Sequence, residues 1–136
     1  MSRRSIRSLR VLVTVALALV TIGIALRIVT PALLRLRIAR LRSFAQLLLG
    51  NASPPDVVRV VEATGRRLPA VSTCLVRAFV AELLLASPAR PLRLTIGVKQ
   101  APDGRLESHA WVTDHDSVLI GAPCEGFVPI VEWSSV

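Results

Sequence analysis

Ser72-Thr73-Cys74-Leu75-Val76-Arg77-Ala78-Phe79-Val80-Ala81-Glu82-Leu83 is followed by Leu92-Arg93-Leu94-Thr95-Ile96-Gly97-Val98 and then by Ser108-His109-Ala110-Trp111-Val112. The first stretch reads as a helix. Ser72 or Thr73 is a natural N-cap, and Leu75, Ala78, Phe79 and Leu83 recur at helical spacing to give a buried face. Ser87-Pro88 closes it. The second stretch alternates as a strand does, and Ala101-Pro102-Asp103-Gly104 is a turn into a second strand over 106–113. Asp114-His115-Asp116-Ser117 turns again into a third strand over 118–120. One helix followed by an antiparallel meander predicts an α+β domain.

Upstream, the chain changes character. Residues 1–50 are nearly all Leu, Val, Ile, Ala and Arg, whereas residues 51–136 have the mixed composition of a soluble domain. Two units are expected on that basis: a basic, apolar helical segment over 1–50 and a folded domain over 51–136. The net charge of +8 is just as uneven. Nine arginines lie in residues 1–42 and the first acid is Asp56; from residue 43 onward eight Lys/Arg face nine Asp/Glu. Such a charge invites a nucleic-acid reading. Here the arginines border an apolar run whose only nearby aromatic is Phe44, so a membrane surface or an apolar partner suits the pattern, and nucleic acid does not.

Residues 2–10 are basic and residues 11–26 are an uncharged run of 16. A spanning helix needs about 20 apolar residues, with a lower limit near 17. A snorkelling Arg27 extends the run through Leu34, so residues 11–34 are the expected place of membrane contact. Packing on protein, lying on a membrane and crossing it all remain open, as does a targeting role, although no small-residue cleavage site precedes the next basic block. Pro31 suits the first turn of a second, amphipathic helix over 32–49, with Gly50-Asn51 as its C-cap. Ser53-Pro54-Pro55-Asp56 starts a short helix over 57–64, ended by Gly65.

The chemistry concentrates on Cys74 and His109. The thiolate is the nucleophile, and a free thiol with pKa about 8.5 is mostly protonated at neutral pH. In the first turn of a helix, unpaired N–H groups and the positive end of the dipole favour the anion. The same N–H groups can hold an oxyanion during acyl transfer. His109 completes the pair by holding an imidazolium beside the thiolate and then protonating the leaving amine. His115 sits at a turn tip between two acids and suits this role poorly. On spacing alone, a buried structural Cys and an ordinary strand His are the better account of the two residues. The two Cys and two His lack zinc-site spacing, and Cys74 and Cys124 do not by themselves make a disulfide framework.

The stretches around Arg66-Arg67-Leu68-Pro69, Cys74-Leu75-Val76-Arg77-Ala78, residues 92–98 and Ser108-His109-Ala110-Trp111-Val112 occur in an order that resembles the transglutaminase-like leader peptidases of lasso-peptide biosynthesis. That is the family of the microcin-processing B protein's C-terminal domain. The resemblance runs over roughly residues 55–122. It implies a transglutaminase/papain-like core in which a helix carrying Cys packs on the β-meander. The implied activity is that of a cysteine protease removing the leader from a ribosomally made precursor peptide in the cytoplasm. The implied partners are the precursor, a separate leader-recognition protein and a lasso cyclase that closes the ring, with this chain as the stand-alone catalytic half. No cofactor is evident, and dependence on ATP is left open. Cys74 is then the nucleophile and His109 the base and acid.

The family's orienting Asp follows its His by about a dozen residues, which lands here on Gly121, between Ile120 and Ala122. With the hairpin turning at His115-Asp116, His109 stands opposite Gly121 or Ala122. Either a backbone carbonyl orients the ring or an acid arrives from elsewhere. Asp114, Asp116 and Glu125 are the nearby acids, and Asp116 is taken as the third member. Asp114 and Asp116 also suit a solvated turn. Trp111 shares a strand face with His109, and Gly97 suggests a bulge or a close backbone approach. Arg77 reads as a solvated helix residue and Cys124 as a free thiol. The competing function is a membrane-anchored, catalytically impaired transglutaminase-like binding or scaffolding protein.

Overall fold

Every helix of the protein begins on a hydroxyl cap. The structure, a computed structural model, describes residues 2–135. Ser2, Thr30, Ser53 and Thr73 accept from the N–H three residues on and open α1 (Arg3–Ile28), α2 (Pro31–Leu49), α3 (Pro54–Arg67) and α4 (Cys74–Leu85). Pro31 and Pro54 occupy first-turn positions, where no N–H is needed. Helix α3 is longer than the expected 57–64. It takes in Pro54-Pro55 at the start and runs through Gly65, which fails to stop it because it is buried against α4 rather than serving as a cap.

Helices α1 and α2 form an antiparallel pair. Arg10 near the start of α1 donates to the carbonyls of Leu47 and Leu48 at the end of α2, at 2.7 and 2.6 Å. Arg7 donates to the carbonyl of Asn51. Guanidinium groups thus satisfy carbonyls that the last turn of α2 leaves without a helical partner.

Helix α4 lies at the centre. Nine of its twelve residues are buried, all the way round rather than on one face as the periodicity suggests. The reason is that α1, α2 and α3 cover one side while the sheet covers the other. Val15, Leu19, Leu34, Ile38, Val57 and Val61 join Phe79, Leu84, Leu94, Ala110 and Val112 in one apolar cluster. Residues 1–50 and 51–136, expected as two units, therefore share a core. Helix α1 is long and apolar enough to cross a membrane, yet a third of its most apolar window is buried.

Four antiparallel strands follow: β1 (Leu92–Gln100), β2 (Leu106–Asp114), β3 (Ser117–Ile120) and β4 (Val128–Ser134), in the order β3-β2-β1-β4. The α+β class is as expected. The meander accounts for three strands; β4 was not foreseen and returns to pair with β1 at the other edge. Its residues are mostly exposed and its pattern is interrupted by Pro129, so little periodic signal marks it. Both edge pairings carry a register shift, between Ile96 and Gly97 against β4 and between Val112 and Thr113 against β3.

A buried carboxylate ties the N-terminal hairpin to this frame. Glu82 of α4 is 1% exposed and faces Arg35 Nη2 at 3.2 Å and Arg42 Nη2 at 3.5 Å. Burial raises its pKa, and the two guanidinium groups oppose that rise. Arg35 also donates to the carbonyl of Ser134 and lies 5.2 Å over the Trp133 ring, while Arg42 donates to the carbonyl of Ser135 at 3.3 Å.

Candidate active site

Thr73 decides the setting of Cys74. As N-cap its hydroxyl accepts from the Val76 N–H at 3.3 Å, and its carbonyl accepts from the Arg77 N–H at 3.1 Å. The N–H groups of Cys74 and Leu75 therefore remain without a partner in the first turn of α4. Together with the positive end of the helix dipole, they favour an anion at this position. Cys74 is half-buried and unpaired, as is Cys124.

The turn that delivers Cys74 is held from three sides. Within it, Val71 and Ser72 donate to the carbonyl of Leu68 at 3.2 and 2.9 Å. From α1, Arg27 donates to the carbonyl of Ala70 at 2.7 Å. Gly23 of α1 lies so close that a Cβ there would sit 2.6 Å from the Val71 oxygen. From α4, Arg77 Nε donates to the Ser72 hydroxyl at 3.0 Å and Nη2 to the Ser72 carbonyl at 3.4 Å. Arg77 is half-buried and pairs with Glu62 of α3 at 3.8 Å, so it is not the solvated residue expected from its place in the sequence. Gly65 makes the arrangement possible. A Cβ there would meet Arg77 Nε at 2.6 Å and Ser72 Oγ at 2.7 Å.

His109 comes from β2, opposite Gly97 of β1. Its ring stacks near Trp111, with centroids 6.0 Å apart, and tilts against Phe127 at 5.2 Å. The close approach expected at Gly97 is the approach of Trp111: a Cβ would meet that indole at 2.7 Å. Nε2 of His109 lies 2.5 Å from the carbonyl oxygen of Gly121. A carbonyl can only accept, so Nε2 carries the proton and Nδ1 is left with the lone pair of a base.

Of the alternatives left open by the sequence, a backbone carbonyl orients the ring. Gly121 is suited to supply it. Its φ is +97°, and a Cβ would meet the Ala110 oxygen at 2.7 Å and Trp111 Cα at 2.9 Å. Asp116 stands exposed in the β2–β3 turn and does not line the cavity that His109 lines. Asp114 is engaged by His115 at 2.8 Å and Arg90 at 3.4 Å, and Glu125 is exposed beyond Ile120.

Cys74 and His109 line one cavity of about 80 Å³, together with Glu62, Arg77, Ile120, Gly121 and Ala122. No hydrogen bond joins Sγ to the ring. Such bonds commonly tighten only when substrate is bound. The carboxylate of the cavity is Glu62, which sequence reasoning missed. It lies on a different helix, twelve residues before the thiol, and nothing in the local pattern marks it. Among the described residues, no three His, Cys, Asp or Glu side chains gather as metal ligands.

A thiol at a helix start, an imidazole held by its Nε2–H and a flanking antiparallel sheet agree with what comparison finds. The transglutaminase-like superfamily model matches residues 16–132. The chain belongs to the transglutaminase-like superfamily. Neither the curated proteins nor the solved structures give a match. A transglutaminase-like domain is a fold of the cysteine-protease type, and its members are usually cysteine proteases or transferases. The match begins inside α1, in keeping with a core to which α1 contributes.

Proposed function

We propose that this chain is a cysteine peptidase that removes the leader from a ribosomally synthesised lasso-peptide precursor in the cytoplasm. It acts with a separate leader-binding protein and a cyclase. The observation that carries the peptidase part is the single cavity shared by Cys74 and His109, with the imidazole tautomer set by the Gly121 carbonyl. The substrate and partners rest on the ordered resemblance around residues 66–69, 74–78, 92–98 and 108–112.

In this reading Nδ1 of His109 takes the Sγ proton, and the thiolate attacks the carbonyl at the leader's end. The N–H groups of Cys74 and Leu75 hold the oxyanion. Collapse forms an acyl-thioester with the leader, while His109 gives its proton to the departing amine of the core peptide. Water, deprotonated by His109, then hydrolyses the thioester and restores the thiol. Precursor and leader-binding protein incubated with this chain should yield free leader and core by mass spectrometry. Cys74→Ala and His109→Ala should each abolish the products, and full processing by Cys74→Ala would refute the proposal.

The second reading is a binding or scaffolding protein with impaired catalysis. The observation favouring it is that, among the described residues, the His109 ring is hydrogen-bonded by a backbone carbonyl and by no carboxylate. Loss of a triad's orienting acid can lower rate about 10⁴-fold while geometry survives. A thiol probe separates the two: an activated Cys74 reacts faster than Cys124 at neutral pH, and equal labelling favours the scaffold.

A further inference from the structure

Helices α1 and α2 bury one side and leave the other bare. On α1, Val13, Leu17, Val20, Ile24 and Ile28 stand exposed at successive turns. On α2, Leu33, Leu36, Phe44 and Leu47 do the same. The two stripes meet across a groove of about 330 Å³, bordered by Leu17 on one helix and Leu41, Phe44 and Leu48 on the other, with Leu83 and Leu84 of α4 also lining it. Contiguous apolar surface of this kind marks an interaction site.

Charge narrows what covers it. Neither helix contains an acid. Of the nine arginines on the two helices, Arg7, Arg10, Arg27, Arg35 and Arg42 are spent inside the protein on carbonyls and on Glu82. Arg3, Arg4, Arg37 and Arg40 are exposed, and among the described residues their guanidinium groups have no ion-pair or hydrogen-bond partner. Helical spacing sets Arg37 and Arg40 among Leu33, Leu36, Phe44 and Leu47, inside the apolar face rather than at its border.

A second copy would lay this cationic face against itself, because a two-fold interface uses the same patch twice. The other side of α1, where Val15 and Leu19 are fully buried in the core, argues against a bilayer span. Guanidinium groups among Leu and Phe suit the level of lipid phosphates, with the apolar side chains just below. We propose that the outer face of α1 and α2 seats the protein in the plane of an anionic lipid surface. Because Arg27 and Gly23 of α1 hold the turn before Cys74, the same helix links the seat to the candidate site.

Full-length protein carried in detergent and diluted into vesicles tests this by flotation. It should float with phosphatidylcholine–phosphatidylglycerol vesicles, stay behind with phosphatidylcholine alone, and be released by salt or alkaline carbonate. The double variant Arg37→Glu/Arg40→Glu should lower partition about tenfold or more, since each basic residue near an anionic surface contributes measurably. Leu47→Ser, which keeps every charge and alters only an exposed side chain, should also weaken it. Far-UV circular dichroism should leave both variants folded; if the charge variant is not, salt release of the parent carries the test. Equal binding to neutral vesicles, resistance to carbonate, unaltered partition of both variants, or a dimer that ignores vesicles would each overturn the proposal.

Discussion

The N-terminal hairpin and the Cys74 half differ in nearly every compositional respect, yet a carboxylate flanked by arginines lies both at the joint between them and beside Cys74. In the hairpin's joint, Glu82 is almost fully buried and holds Arg35 and Arg42 at 3.2 and 3.5 Å. Beside Cys74, Glu62 is a third exposed and holds Arg77 at 3.8 Å and Arg66 at 4.0 Å. The buried cluster fastens one region to the other; the more open one steadies a turn. A change of composition therefore does not mark a change of folding unit here, because the arginines that make the hairpin look separate are the groups that dock it.

Removing residues 1–30 breaks the comparison most severely. It deletes the buried faces of Val11, Val15, Leu19 and Ile22. At about 1.5–3 kcal/mol for each buried side chain, the loss approaches the 5–15 kcal/mol of a whole domain. The truncated chain should be insoluble or unfolded by circular dichroism, rather than released as a soluble enzyme. A cooperatively melting fragment would show that the hairpin is dispensable.

Glu82→Ala comes next. It leaves two partly buried guanidinium groups unpaired and should cost roughly 3 kcal/mol in denaturant unfolding, the lower end for a broken buried pair because both arginines keep some contact with water. By contrast Glu62→Ala, at a more exposed pair, should change stability by less than about 1 kcal/mol. Equal costs would erase the distinction drawn between the two clusters.

Gly121→Ala forces a Cβ against the Ala110 oxygen at positive φ, a strain of about 1–3 kcal/mol. It should also slow Cys74 labelling by a thiol probe, because the carbonyl that sets the His109 tautomer shifts. Arg77→Lys should keep most of the stability but loosen Ser72, since a single ammonium cannot hold both the hydroxyl and the carbonyl. Its readout is the Cys74 labelling rate against Cys124, with little change expected at Cys124.

The smallest effect is one of pH. The folded-state pKa of Glu82 is raised, first by burial. The folded protein then holds this proton more tightly than the unfolded chain. Stability from Glu82 is fully present at acidic pH below the unfolded value and declines as pH rises through the folded value. Glu82→Gln should flatten that limb of the stability curve, and an unchanged limb would assign it to another group.

The Cys74 helix, strands β1 and β2, the close approach at Gly97 and the nearness of His109 to Gly121 were all legible in residue order, because caps, alternation and hairpin counting are local rules. The length of α3, strand β4, the burial of Arg77 and the place of Glu62 were not. Gly65 illustrates why. In sequence a glycine after an apolar run reads as a stop, whereas in the fold it is the only residue that leaves room for Arg77 beside Ser72. Asp116 shows the converse. It is one of the acids nearest His109 along the chain, but the β2–β3 turn carries it into solvent while the Gly121 carbonyl meets the His109 ring.

By itself the residue order determined the Cys74 helix, the β-meander and the candidate pair, since capping and hydrophobic period act within a few residues. Only the tertiary structure decided that the hairpin shares the core, that a carbonyl rather than an acid meets His109, and which arginines remain free to face outward. Those outcomes depend on burial and on groups brought together from distant helices, and burial is a property of the packed chain that no local stretch contains.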